Sequence, residues 1–462
     1  MNKGILLAVS SLNGLYYVGD FDMCAYEFID YLNQRGYSYW QILPLNPLGP
    51  GDSPYMSSCS NAIDIRYVSL SWLKNRGYIK ELPKAKNTKH SKFKKALKIK
   101  TNYLKIAFES TDLQSNIDYI KFKNENEWVY KYAIFELLKS KYKKKKWNLW
   151  DKEDLNYFDY EHKLSDEEQS FVDFVIFGQF IAYTQYLEIL DYAHQKGIKI
   201  IADIPFYVGY NSVDCWLNKD EFLLTNGYKQ ELEAGVPPDP FSSIGQKWGM
   251  PIYNFTKMKE NNYFFLINRI LDLSKISDFI RLDHFRAFDT YCVIPCKDKN
   301  AINGKWEQGP SYAFFDLLYQ KKPDINLISE DLGILFPSVY ELRDHYHLPG
   351  MHVFQFNMYE GHPLSNDNMV VYSGTHDTDT LLGWLKKQDK KSLEMIKKNI
   401  GYESGDLFDK CMEYVNSLPS KMTIIPMQDI LKLDNKARMN TPNTTGFPNF
   451  CWKLSDDSYK NK

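Results

Sequence analysis

The stretch "ISDFIRLDHFRAF", residues 276–288, opens as a buried β-strand and ends in charge. Side chains two apart on a strand share a face, so Arg281 and Asp283 point one way while Ile280 and Leu282 point the other. One face is apolar and the other is charged. Charges are seldom buried unpaired, so the two either close a strand end as a structural ion pair or line a polar pocket. The strands around them decide between these readings.

Seven further runs have the same character: "GILLAVS" (4–10), "YWQILPL" (39–45), "GIKIIADIP" (197–205), "INLISEDLG" (325–333), "GMHVFQF" (350–356), "NMVVYSGTHD" (368–377) and "KMTIIPMQD" (421–429). Helical patterns lie between them. "AYEFIDYLNQRG" separates the first two, and "FVDFVIFGQFIAYTQYLEILDYAHQKG" sets Phe174, Gly178, Ile181, Leu187 and Leu190 at helical spacing before stopping at Gly197. Eight strands alternating with helices predict an α/β fold, a (β/α)8 TIM barrel, ahead of an open doubly wound sheet. No GxGxxG or Walker motif opens a helix after any strand, which weighs against the open sheet. Two segments break the rhythm. Residues 74–165 are lysine-rich and helical, an expected inserted subdomain; residues 205–260, with "EAGVPPDPFSSIGQKWGMPIYNF", are punctuated by Pro and Gly and read as an inserted substrate-loop region. The expected organisation is a single catalytic domain over 1–462 carrying both insertions.

At 462 residues and 44% hydrophobic content the chain can bury a large core. Lys plus Arg number 57 against 58 Asp plus Glu, a net charge of −1, so bulk electrostatics favours neither nucleic acid nor an anionic membrane. The lysine runs "KAKNTKHSKFKKALKIK" and "KYKKKKWNLW" are read as a solvated face. Aromatic residues make up 16%, which suits rings stacking on sugars and equally follows from a genome rich in Tyr and Phe codons. Seven cysteines without a CxxC pair argue for reduced thiols and a cytoplasmic protein. The apolar run Ile5 to Val9 is too short for a signal peptide, and no run approaches the ~20 residues of a membrane span.

Strands three, four, five and seven end in carboxylates: Asp203, Asp283, Glu330 with Asp331, and Asp377. In a barrel those ends share the face where active sites sit. Any one of them reads as a turn or a cap; the set reads as a site. Several carboxylates with an arginine, and no serine elbow or phosphate loop, suit glycoside cleavage. Asp283 fits the nucleophile, with Arg281 expected to lower its pKa, and Glu330 in apolar "NLISE" fits the proton donor, its pKa raised by burial. Asp377, beside His376, fits a group that holds sugar hydroxyls as positive charge develops on the ring. A metal site built from His284, His376 and these carboxylates is the rival, but no HxH or HExxH spacing supports it, so no metal and no cofactor is expected. His345 and His347 read as bystanders at a helix end.

The segments "RLDHFRAF", "ISEDLG" and "GTHDTDT" resemble the catalytic segments of 4-α-glucanotransferases (amylomaltase or disproportionating enzyme, glycoside hydrolase family 77). "LLAVSSLNG", "GDSPYMSSCSNA", "ADIPFYVG", "VPPDPFSSIGQKWGMPIY" and "QDILKLDNKARMNTPNTTGFPNFCW" resemble the same family in the same order, so the likeness spans nearly the whole chain. It implies a (β/α)8 barrel without the C-terminal β-domain of α-amylases. The implied activity moves α-1,4-glucan segments from a donor maltodextrin to glucose or maltodextrin by a retaining double displacement through a glycosyl-Asp283 intermediate. Hydrolysis on the same barrel and non-catalytic glucan binding are the alternatives. The resemblance places the nucleophile at Asp283, the acid/base at Glu330 and the transition-state aspartate at Asp377. Its substrate-binding positions fall on Ser53, Tyr55, Asp203, Asp239, Gln246, Trp248, Arg281 and His376. A monomer or homodimer is expected. The sequence departs from the family pattern at Met56 (Gln usual), Ala287 (Gly), Cys292 (Trp), Thr378 (Asn), Asn443 (Gly) and Phe450 (Trp), which touches acceptor preference more than chemistry.

Overall fold

The computed structural model describes residues 2–238, 242–360, 367–454, 456 and 458–461. Each of the eight predicted runs supplies one strand: β1 (Lys3–Leu6), β2 (Tyr39–Gln41), β3 (Lys199–Ile204), β4 (Phe279–Leu282), β5 (Leu327–Ser329), β6 (Gly350–Val353), β7 (Met369–Tyr372) and β8 (Met422–Pro426). They pair in parallel in the order β6-β7-β8-β1-β2-β3-β4-β5. The β5–β6 seam is joined without a ladder. There the Ser329 N–H donates to Pro349 O at 2.9 Å. Asp331 spans the same gap, accepting the Met351 N–H at 2.7 Å and the Arg343 guanidinium at 2.6 Å. The result is the expected (β/α)8 barrel, and among the described residues no strand follows β8.

Alternation along the strands sorts side chains as the period of two requires. Ile201, Phe279, Ile328, Val370 and Tyr372 fill the barrel interior, whereas Ile200, Ile280, Leu282 and Leu327 belong to the larger core between barrel and helices. The apolar runs outlast the ladders because their last residues leave the sheet to form the C-terminal mouth. After β2, for example, Ile42 keeps one bond, its N–H to Ile201 O at 3.0 Å.

The helix before β3 runs Asp166–Gln195, opened by a Ser165–Glu168 capping box and closed at Gly197, whose φ of +72° suits a residue without Cβ. Ile181 and Leu190 are buried as its stripe predicts, but Leu187 is 44% exposed. Two polar residues take its place on the inner face: Gln179 and Gln185 pair with the Ile63 and Ser69 backbones.

Between β2 and β3 the chain forms helices Phe93–Glu109, Ile117–Glu125 and Glu127–Lys141, which pack on Asp166–Gln195 through contacts such as Tyr119 on Phe180 and Trp128 on Tyr183. One lysine of the supposed solvated run is not solvated. Lys100 is fully buried, with its Nζ on Asp20 and on Val68 O. Beyond β3, Leu232–Val236 and Gln246–Lys247 join Thr290–Pro295 and Lys305–Gln308 in a four-stranded antiparallel sheet. Among the described residues no helix is long and apolar enough to cross a membrane, and all seven cysteines are free thiols.

Candidate active site

β3 and β4 pair in the register that sets Asp203 beside Arg281. The guanidinium Nη1 donates to Asp203 Oδ1 at 2.7 Å and to Asp283 Oδ1 at 2.9 Å, so one cation serves two carboxylates. Arg281 is thus ion-paired with both Asp203 and Asp283, and of the two carboxylates only Asp283 is open to solvent. The exposures separate their roles, because the Asp203 side chain is wholly enclosed while Asp283 keeps 27% and Asp377 43% of theirs. Asp203 has its second oxygen on the Tyr55 hydroxyl at 2.7 Å.

Tyr55 extends this network across the barrel. Its hydroxyl also lies 2.9 Å from His376 Nε2, the two rings stack at 5.2 Å, and His376 Nε2 is 3.2 Å from Asp377 Oδ2. Ser53 acts one step back, its Oγ accepting the Tyr55 N–H at 3.3 Å. Phe450 packs on the Tyr55 ring at 6.1 Å. Asp377 is held from the far end of the chain as well: Asn440 Nδ2 donates to its Oδ1 at 2.7 Å and Arg438 Nη2 to its backbone oxygen at 2.6 Å. Neither residue was singled out from sequence. They lie 61 and 63 positions from Asp377, and only the family-like segment "NKARMNTPNTTGFPNFCW" pointed to them.

Glu330 is tied to the turn that follows Asp283. Its Oε2 accepts the His284 N–H at 2.8 Å, and its backbone exchanges bonds with Leu282 and Phe285. His284 makes this bond from a left-handed backbone, with φ of 54°. Asp331, the next residue, turns outward to the β5–β6 seam and leaves the site.

Burial dominates the proton affinities. It lifts Glu330 well above the usual carboxylate range, with Asp283 and Asp331 adding to the rise and Arg281 opposing it. Asp283 is also pushed up, to about 6: burial outweighs Arg281, and Asp203 and Asp377 reinforce it. The expectation that Arg281 would leave Asp283 below its ordinary value is thus corrected. Asp377 goes the other way, lowered chiefly by His376 against its own burial, while His376 is raised by Asp377 despite its burial. Asp377 and His376 thus favour each other's charged forms, while Asp283 and Glu330 keep their protons to higher pH than free carboxyl groups do.

Gln246 and Trp248 form the near edge of the loop sheet, with Trp248 Nε1 donating to Gln246 Oε1 at 3.2 Å. The Trp248 ring meets the His284 imidazole edge-on at 4.8 Å, which brings the loop against the residue next to Asp283. Asp239 lies outside the described residues. His284 itself is held neutral, its pKa pushed down to about 3 by burial and by Arg286. Among the described residues no three His, Cys, Asp or Glu groups are disposed to hold a metal ion. His345 packs on Tyr312 and Tyr346, away from this cluster.

Comparison with known proteins adds an independent line. A family model described as 4-alpha-glucanotransferase matches residues 7–458. The chain is 35% identical to a 4-alpha-glucanotransferase of Clostridium butyricum over 98% of this chain and 96% of that one. It is 34% identical to the chloroplastic/amyloplastic 4-alpha-glucanotransferase of Solanum tuberosum, covering 99% and 83%. Among solved structures, the amylomaltase from Streptococcus agalactiae in complex with acarbose matches with a TM-score of 0.92 at 28% identity, covering 100% of this chain and 97% of that one.

Proposed function

The chain belongs to the 4-alpha-glucanotransferase family, and from that premise we propose that it transfers α-1,4-glucan segments between maltodextrins by a retaining double displacement centred on Asp283 and Glu330. The observation that carries this reading is the tether of Glu330 to the His284 N–H. It ties the Glu330 carboxyl to the turn that follows Asp283, which supports the reading that the two carboxyl groups act as a pair, as a retaining mechanism requires.

Asp283, ionised above about pH 6, attacks the anomeric carbon through Oδ2, the oxygen outside the Arg281 ion pair. The carbon–oxygen glycosidic bond breaks as Glu330 protonates the leaving oxygen, giving a glycosyl ester on Asp283 and a free shortened glucan. Asp377, ionised beside His376, faces the positive charge that develops on the ring. In the second half, the Glu330 carboxylate takes the proton from an acceptor 4-hydroxyl, which attacks the same carbon and releases Asp283. The packing of Trp248 on His284 supports a role for this loop in favouring a sugar over water as that acceptor. No resident metal or cofactor enters this scheme. Glucose and maltodextrins are the proposed acceptors, and the seven free thiols favour a cytoplasmic location.

Maltotriose incubated with the purified protein tests the reading. Transfer predicts longer maltodextrins and glucose at constant total reducing ends. Rising reducing ends would replace it with hydrolysis, and an unchanged ladder with a binding role. Asp283→Ala is expected to cut turnover by about three orders of magnitude or more while leaving the fold intact; near-native turnover would remove Asp283 from the mechanism.

A further inference from the structure

Asp377 sits in a turn between β7 and helix Leu381–Lys387, and a turn does not by itself fix a carboxylate to the tolerance that charge stabilisation requires. Its position is set by a segment that follows the neighbouring strand β8, residues 438–440. Asn440 takes the side chain; the backbone is taken by a single guanidinium. Arg438 donates through Nη2 to Asp377 O at 2.6 Å, through Nη1 to Asp379 Oδ1, and through Nε to Asn440 O at 2.7 Å. Its three nitrogens thus grip the reacting residue's own peptide, the carboxylate two residues on, and the peptide of the residue that binds the Asp377 side chain. The Asn440 N–H closes the circuit on His376 O at 3.0 Å. The far side of Asp379 is held by Lys387 Nζ at 2.7 Å.

We infer that Arg438 is a positioning residue for the reaction, a three-point brace that fixes Asp377 against His376 and the sugar ring. It touches neither Asp283 nor Glu330. The inference rests on the proposed role of Asp377. A planar fork with directed donors can satisfy three acceptors at once, whereas a lysine ammonium on a shorter reach cannot. The Arg438 side chain keeps 20% exposure, so a small cation from solvent can reach its place once the side chain is removed.

Three measurements on the full chain test it. Arg438→Ala is expected to lower kcat on maltotriose about 30-fold or more with KM within threefold, and ethylguanidinium is expected to restore at least fivefold where ethylammonium at equal concentration does not. The His376 imidazole titration, followed by NMR, is expected to move to lower pH, because Asp377 is what raises it. That last readout does not depend on glucan transfer, so it survives if the wild type proves inactive on maltotriose and the functional reading falls alone. Should Arg438→Ala fail to fold, Arg438→Lys keeps the charge and is expected to show the same loss of kcat. A folded Arg438→Lys within twofold of wild-type kcat, an unmoved His376 titration, or equal rescue by both cations would overturn the brace.

Discussion

Arg281 stands between Asp203 and Asp283 with its Nη1 on both, and that shared cation offsets part of the rise that burial gives the proton affinity of Asp283. Asp203 raises Asp283 directly and also draws part of the guanidinium's field. Asp203→Asn removes both effects, so the pKa of Asp283 is expected to fall and the acid limb of kcat/KM to move to lower pH by about one unit. The wild-type limb itself is expected near pH 6, with activity lost as pH falls through it because Asp283, the proposed nucleophile, becomes protonated. A limb that stays in place in Asp203→Asn would detach it from Asp283. That Arg281 and Asp283 meet was legible in the sequence, because alternation alone puts them on one face. The direction of the Asp283 shift was not, since the extent of burial is a property of the closed mouth and not of any local pattern. Asn443 stands where the family pattern has glycine, and its φ of 63° explains the preference: the position is left-handed, and asparagine tolerates that region better than most residues with a Cβ.

At the level of elements, existence was readable and boundaries were not. "INLISEDLG" is nine residues of strand-like sequence, but only Leu327–Ser329 enter the ladder, because the following residues serve the site and the seam. At the seam the barrel has no ladder, and the Asp331 side chain supplements the Ser329–Pro349 backbone bond. Asp331→Ala would leave the largely buried Arg343 guanidinium without its inner carboxylate and the Met351 N–H without an acceptor. A loss of about 3–5 kcal/mol is expected by urea unfolding, with part recovered when Arg343→Met is added. A loss under about 1 kcal/mol would mean that helices, not this strut, close the barrel. The loop sheet escaped the sequence reading for a different reason. Its strands come from two segments on either side of β4, and a two-residue strand such as Gln246–Lys247 has too few positions to show a period.

Across the whole molecule, the lysine-rich helices are bonded to the barrel by a contact that composition conceals. Lys100 lies in a run whose other lysines are mostly solvated, yet its ammonium is enclosed between Asp20 and Val68 O, with the Tyr16 ring 5.3 Å away. Asp20 precedes the first barrel helix, Met23–Gln34, and Val68 precedes Leu70–Asn75, so one charge pair joins helix Phe93–Glu109 to two segments beside the barrel. Removing the cation alone strands a buried carboxylate. Lys100→Met is therefore expected to cost about 3–5 kcal/mol, and Lys100→Met with Asp20→Asn to recover much of it. The pairing also bears on cooperativity. If the inserted helices unfold with the barrel, ellipticity and loss of maltotriose transfer will shift together in denaturant when Lys100 is replaced. If they form a separable unit, ellipticity will show an early step while transfer persists, and the pair will have tied down the insertion without supporting the barrel.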